Sequence, residues 1–361
     1  MKPRVLFVGR SRLSLPLEPA LARKWDAVAE ELDIRVLATG RSGEQRDERF
    51  RLMADRDLLA FYALLPLLVR EEVRAFDPDV IVTQSPYEAV VVRPVRGRAR
   101  LLLEVHGDWN TAARLYGSPL RAVLDPTSKQ LARAAVRAAD AVRTVGPFTT
   151  RLVTDAGATP AATFTTYTDV SAFTSTPPAP LPAHPSALFV GVLERYKNVA
   201  GVADAWRRAA PQVPAARLRL VGEGRETDVV SQLVREIPGR TEWTRRLAPD
   251  EVAQALDDAT VLLLPSFSEG LPRVAIEAFA RGRPVIGARA GGIPDIVEDD
   301  VNGLLVDPHD AASIASALVR VLSDRELAER LAAGATASAE QWLQPPEVYA
   351  RRMRELVEGL L

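Results

Sequence analysis

Glu269 and Glu277 stand eight positions apart in Ser268-Glu269-Gly270-Leu271-Pro272-Arg273-Val274-Ala275-Ile276-Glu277, the first on a Gly-Pro turn, the second inside an apolar helical pattern. The apolar run Val261-Leu262-Leu263-Leu264-Pro265 reads as a strand feeding that turn. Pro272 suits an early helical position, where its missing N–H costs nothing. Strand, turn and helix N-terminus in that order favour an anionic ligand, because free backbone amides and the helix dipole point at it. At about 100° per residue, eight steps return Glu277 to within about 80° of the direction of Glu269. Both carboxylates can therefore reach one ligand, one serving a sugar-like polyol at the helix tip and the other a group about two turns deeper.

Three further segments place reactive side chains after strand-like runs. Gly191-Val192-Leu193-Glu194-Arg195-Tyr196-Lys197 follows Ala187–Val190, Val105-His106-Gly107-Asp108 closes Leu101–Val105, and Gly9-Arg10-Ser11-Arg12-Leu13 is expected as the loop after Arg4–Val8. In a parallel α/β sheet, ligand-binding side chains gather beyond the carboxyl ends of strands. Asp108 serves equally well as a loop cap. Val221-Gly222-Glu223-Gly224 ends a strand in a tight turn but lacks the full dinucleotide fingerprint and its downstream acid, which disfavours an NAD enzyme.

The elements that must hold these residues alternate. Strands are expected at Arg4–Val8, Ile34–Ala38, Val80–Thr83, Leu101–Val105 and Ala141–Val145, with helices near Glu18–Glu31, Glu48–Ala75, Lys129–Ala139 and Phe148–Asp155. A proline-rich stretch over 174–185 tolerates neither helix nor central strand and reads as a stiff linker. The alternation then resumes, with strands at Ala187–Val190, Arg217–Val221, Val261–Leu264, Pro284–Gly287 and Leu304–Val306. Helices are expected at Ala200–Ala209, Thr227–Glu236, Pro249–Leu256, Arg273–Arg281, Ala311–Leu322 and Arg325–Ala339, and a last amphipathic one spans 346–361. Strands alternating with helices mean parallel βαβ units. The expectation is an α/β protein of two doubly wound domains, 1–173 and 186–345, their sheets facing across a cleft, with the last helix packing back onto the first domain.

With 361 residues, 47% hydrophobic and 26% charged, the chain has the composition of a soluble globular protein. A net charge of −1 argues against a general nucleic-acid binder. Zero cysteines exclude disulfides, thiolate metal sites and cysteine nucleophiles, and fit a reducing cytoplasm. The longest apolar run, Leu58 to Val69, is broken by Pro66 and too short to span a bilayer, so no transmembrane segment is expected. A peripheral contact at the inner face of the membrane stays open.

Taken together, these segments resemble the retaining glycosyltransferases of the GT-B fold, family-four type, with their glutamate-seven-residues-glutamate motif. The supporting landmarks are Gly282-Arg283-Pro284-Val285, Gly291-Gly292-Ile293-Pro294-Asp295-Ile296-Val297 and Asn302-Gly303-Leu304-Leu305. The resemblance implies that Glu269 holds the donor sugar, that the amides of Gly270 and Leu271 approach sugar and diphosphate beside Pro272, and that Glu277 binds the ribose hydroxyls. It places Lys197 on the diphosphate, where an ammonium offsets charge on the leaving group. Gly191 and Gly222 join that donor site. His106 would touch a hydroxyl of the donor sugar and, with Lys197 and Glu269, make up the catalytic set. The family usually carries arginine directly after the glycine, where this chain has Val192, and Arg195 is the candidate replacement. On the acceptor side stand Gly9, Arg10, Arg12 and Asp108; the arginines either grip an anionic or hydroxyl-rich acceptor or belong to a solvated loop.

The resemblance thus implies hexosyl transfer with retained configuration, from a nucleotide-diphospho-sugar to a hydroxyl of a glycan, lipid or small molecule. UDP and GDP sugars both remain open as donors. No cofactor and no metal are expected, Lys197 and the helix dipole doing a cation's work. An epimerase or phosphorylase on the same fold, or a non-catalytic sugar-nucleotide-binding subunit, are the alternatives.

Overall fold

The computed structural model describes residues 1–110 and 125–361. Contacts divide the chain into two compact units: among the described residues, the first takes the chain as far as Asp169 together with Gln344–Leu361, and the second takes Val170–Leu343.

The first unit contains β1 (Arg4–Leu13), β2 (Asp33–Gly40), β3 (Gln45–Arg46), β4 (Phe50–Ala54), β5 (Val80–Thr83), β6 (Arg100–Val105), β7 (Ala141–Thr144) and β8 (Ala162–Thr163). They form one sheet in the order β3-β4-β2-β1-β5-β6-β7-β8, parallel apart from the β3–β4 pair. Between them run α1 (Pro19–Glu31), α2 (Leu58–Phe76), α3 (Pro86–Val92), α4 (Asp125–Ala138) and α5 (Pro147–Asp155). The sheet is buried on both faces: on β1, Leu6 and Val8 enter one core while Val5 and Phe7 enter the other. That is the strand alternation expected of a covered parallel sheet.

Two expectations need correction here. The helix expected over Glu48–Ala75 is a strand followed by a helix. Phe50, Leu52 and Met53 are buried as β4 pairs with β2, and α2 begins only at Leu58, where the Asp57 carboxylate accepts from the Leu59 and Ala60 amides. The loop expected at Gly9–Leu13 is instead the end of β1, which shifts register between Val8 and Arg12 so that Leu13 pairs with Gly40.

The second unit contains β9 (Ser186–Val190), β10 (Arg217–Val221), β11 (Thr241–Thr244), β12 (Val261–Leu264), β13 (Val285–Ala288) and β14 (Gly303–Val306), in the order β11-β10-β9-β12-β13-β14. Its helices are α6 (Ser171–Thr174), α7 (Val199–Ala209), α8 (Thr227–Glu236), α9 (Pro249–Asp257), α10 (Arg273–Ala280), α11 (Ala311–Ser323) and α12 (Arg325–Ala339). Phe189 and Leu263 point into one core, Leu188, Leu262 and Leu264 into the other, so this sheet too is the middle of three layers.

The proline-rich stretch offers carbonyls but few N–H groups. Buried Arg281 donates to the carbonyls of Phe173, Thr176 and Pro177, and buried Arg283 to those of Ala179 and Pro180. Arg325 takes those of Leu181 and Pro182. Three guanidiniums therefore supply the donors that proline lacks and strap the segment along the second unit. The last helix, α13 (Pro346–Glu358), belongs to the first unit, where Tyr349, Ala350, Met353 and Val357 are buried and it packs on α1. Among the described residues, no helix is long and apolar enough to cross a membrane.

Candidate functional site

In the second sheet the strand order reverses between β9 and β12. A doubly wound sheet binds ligands at such a reversal, beyond the carboxyl ends of the strands. The loops leaving those two strands are Gly191–Asn198 and Pro265–Pro272, which carry Lys197 and Glu269. Their backbones are joined, since the Phe267 amide donates to the Tyr196 carbonyl at 2.8 Å. Asn198, in the left-handed region at φ 58°, caps α7 and donates its Nδ2 to the carbonyls of Pro265 (3.1 Å) and Pro308 (2.7 Å). One side chain thus ties three strand-end loops together.

On that frame Lys197 Nζ donates to Glu269 Oε1 at 2.6 Å, the side chains being 12% and 14% exposed. A charge-assisted bond so sheltered is stronger than a neutral one and less screened than a surface pair. Burial pushes the Tyr196 hydroxyl up to about 12, helped by the Glu269 and Glu194 charges, so it stays neutral beside the pair. Glu277 sits one helical stretch further in, 15% exposed, with Arg273 at 3.9 Å. Burial raises its pKa above the ordinary value, and Arg273 and Lys197 pull it back. Lys197 therefore acts on both glutamates.

Pro272 is the cap of α10 and not, as the sequence suggests, a residue inside it; it offers no side-chain cap to the helix. The first amides of a helix have no intrahelical acceptor, so a ligand can take them. Gly291, at φ 58°, and Gly292 press the loop after β13 onto this turn: a Cβ on Gly291 would lie 2.5 Å from the Glu269 carbonyl oxygen, and one on Gly292 1.9 Å from that of Gly270. The Gly292 amide donates to the Glu269 carbonyl at 2.8 Å. Leu271 is partly buried in the same turn. Gly222, at φ 152°, brings the end of β10 against the Gly191 carbonyl, which a Cβ would meet at 1.8 Å. Arg195 and Val192 are exposed on the β9 loop. The nearby Glu226 is pushed up by burial and by Glu194, with Arg195 opposing.

In the first unit the order reverses between β1 and β5. Gly9 lies against the Gln84 amide, to which the Ser11 hydroxyl donates at 2.8 Å. Arg10 donates to the Arg56 carbonyl at 3.2 Å and lies 5.8 Å from the Phe61 ring centre. Arg12 pairs with Asp55 at 2.8 Å. Asp108 accepts from the Asn110 amide at 2.8 Å, forming a turn in its own loop. His106, just past β6, has Nε2 3.1 Å from Glu104 Oε2 and Nδ1 3.4 Å from Thr166 Oγ1.

The structure thus brings Lys197, Glu269, Glu277 and the Gly270–Pro272 turn together, and separately sets Gly9 and Ser11 against Gln84 while Arg10 turns to Arg56 and Phe61. The sequence singles out neither Asn198 nor Glu104, and it marks Arg143 only as part of the architectural strand Ala141–Val145. A carboxylate and a guanidinium inside the apolar strands β6 and β7 were the available signal for the last two.

A family model described as "Glycosyl transferases group 1" matches residues 181–338, and one described as "Glycosyltransferase Family 4" matches residues 20–167. The chain is 34% identical over 196 residues to a D-inositol 3-phosphate glycosyltransferase of a Nocardioides species, covering 48% of this chain and 43% of that protein. It is 32% identical over 164 residues to a sulfoquinovosyl transferase of Arabidopsis thaliana, covering 45% of this chain and 31% of that protein. The match therefore spans less than half the length of these relatives. Among solved structures, a sucrose-phosphate synthase from Thermosynechococcus elongatus superposes with a TM-score of 0.80 at 21% identity, over 99% of both chains. HepE of Anabaena, solved with UDP-glucose, superposes with a TM-score of 0.71 at 19% identity, over 99% of this chain and 100% of that one.

Proposed function

The chain belongs to the GT-B-fold glycosyltransferases of the family-four type, and from that premise we propose that it transfers a hexose-type sugar from a nucleotide-diphospho-sugar to a hydroxyl acceptor, retaining the anomeric configuration. The observation that carries the reading is the Lys197–Glu269 pair, 2.6 Å apart at the sheet's reversal point and beside an uncapped helix N-terminus. Glu269 serves hydroxyls of the transferred sugar and Glu277 those of the ribose, each carboxylate accepting two charge-assisted bonds. Lys197 and the first amides of α10 take the diphosphate between them and offset the charge that grows on it as the glycosidic bond breaks.

No residue here needs a metal to perform these roles, and we propose metal-independent turnover. Uridine sugars stand first among the donors, because a structural relative was solved with UDP-glucose. The side chain of His106 is our candidate for the first unit's contribution to transfer. The test is a thermal-shift screen of UDP, GDP and ADP with their sugars. It is followed by turnover with and without an acceptor panel, with and without EDTA. An α-configured product from an α-linked donor, formed equally in EDTA, is expected. Epimerised donor formed without acceptor, or tight binding with no turnover on any acceptor, would sink the reading.

A further inference from the structure

Glu104 and His106 are two apart along β6 and its end, so they project from the same face of the sheet. Glu104 is buried, and so is Arg143 on the neighbouring strand β7, whose Nη1 donates to Glu104 Oε1. The other arginine nitrogen, Nη2, donates to Thr166 Oγ1 at 3.2 Å and to the Phe164 carbonyl at 3.0 Å. Thr166 and Glu104 in turn flank the His106 ring at Nδ1 and Nε2. Arg143, Glu104, His106 and Thr166 therefore close a ring of hydrogen bonds. The Phe164 and Tyr349 rings cover the guanidinium, their centres 4.2 and 5.3 Å away. Tyr349 also hydrogen-bonds Glu104.

With the imidazole neutral, the direction of each bond in that ring follows from its partners. Burial alone would raise the Glu104 pKa, but Arg143 and His106 override it and leave it at about 2, so the carboxylate only accepts. An arginine only donates. Thr166 Oγ1, accepting from Arg143, has its own proton free for Nδ1. In a neutral imidazole, every contact then has one donor and one acceptor only when Nε2 bears the hydrogen and Nδ1 is bare.

We propose that Glu104 is a positioning residue for sugar transfer: with Arg143 behind it, it holds His106 in the Nε2–H form and presents Nδ1 to a substrate hydroxyl. The inference rests on the proposed part of His106 in transfer. With its side chain 35% exposed, the ring is within reach of a ligand. Substrate displaces the longer Thr166 contact and leaves the Glu104 bond in place.

The test uses the whole chain, labelled with ¹⁵N. It has three histidines, His106, His184 and His309, so the imidazole signals are few enough to assign. The unliganded wild type should show His106 as the Nε2–H tautomer; an Nδ1–H ring overturns the proposal. In Glu104→Gln, Arg143 claims the amide oxygen and the NH₂ group faces Nε2, so the ring should switch to Nδ1–H. Transfer kcat should then fall by about tenfold or more, as when partners that orient metal-bound histidines are removed, with UDP affinity within about twofold of wild type. An unswitched ring, or kcat within about twofold, overturns it. Thr166→Val keeps the buried ion pair intact and guards against a variant that fails to fold. It should retain Nε2–H, and a switch there would assign the tautomer to Thr166 instead. The wild-type spectrum is read without substrate, so absence of any wild-type sugar transfer would count against the proposed function and not against the Nε2–H assignment.

Discussion

Lys197 faces two carboxylates but bonds only one, and that asymmetry separates the two glutamates in a way their spacing does not. Glu269 has the lysine bonded directly to it, whereas Glu277 is buried with only partial compensation. A carboxyl whose folded pKa is raised binds its proton more tightly in the folded state, so ionisation costs stability. That cost appears as pH rises past the ordinary 4.5 and persists above the raised value. Glu277→Gln should therefore melt at the same or a higher temperature than wild type near neutrality, the two curves converging in acid. Its UDP affinity should fall about tenfold or more, the loss of charged hydrogen bonds worth about 1.5–3 kcal/mol. A lower melting temperature with unchanged affinity would remove Glu277 from the ribose. Lys197→Ala leaves Glu269 without its partner and the diphosphate without its cation. Turnover should drop on the order of a hundredfold, as for other charge-stabilising donors, measured as kcat on saturating donor. A loss of only a few-fold would hand the role to Arg195.

At the scale of elements, α3 carries an unspent carboxylate. Glu88 is buried beside Tyr62 of α2, and its Oε2 has no hydrogen-bond partner among the described residues. Burial pushes its pKa up to about 7, with Arg10 and Tyr62 opposing. The same sign applies: the cost is absent in acid, grows between pH 4.5 and 7, and is constant above. Glu88→Gln should thus stabilise the first unit by on the order of 3 kcal/mol above pH 7 and by nothing below 4.5. Urea unfolding across that range checks it, and a gain independent of pH would contradict it. The sequence never pointed to Glu88, because α3 is too short for its periodicity to be read. Elements with strong periodicity were legible to the residue: β10, β12, α8 and α12 fall where their apolar patterns put them. β4 was not, because Leu52-Met53 runs into Leu58-Leu59 at a spacing that mimics one long helix. β11 is a polar edge strand with a single residue, Thr241, fully covered, so alternation had little to mark it. The Glu269 turn was visible as a motif, whereas its bond to Lys197 depends on β9 and β12 being neighbours, which no local spacing encodes. The pairing of Glu104 with Arg143 is hidden for the same reason.

For the molecule as a whole, the chain's path matters more than its length. It leaves the first unit after Asp169, builds the second through Leu343, and returns to the first with α13. The last helix is thus part of a core begun more than three hundred residues earlier: Tyr349, Met353 and Val357 bury against Trp25, Val28 and Phe164. Large apolar side chains are worth about 1.5–3 kcal/mol each when buried, so removing α13 forfeits about 5 kcal/mol or more, comparable to the whole stability of a typical domain. The strands of the second unit, its arginine-strapped proline segment and the Lys197–Glu269 pair all precede Gln344. A chain ending at Leu343 should therefore lose the folded first unit while keeping UDP affinity within a few-fold. The histidines separate the two outcomes: His106 reports the first unit, His184 and His309 the second. Collapse of the His106 signal to its unfolded position with the other two unchanged is the expected result. An unchanged His106 would make α13 dispensable to the first core, and loss of all three would mean that the second unit does not hold its fold alone.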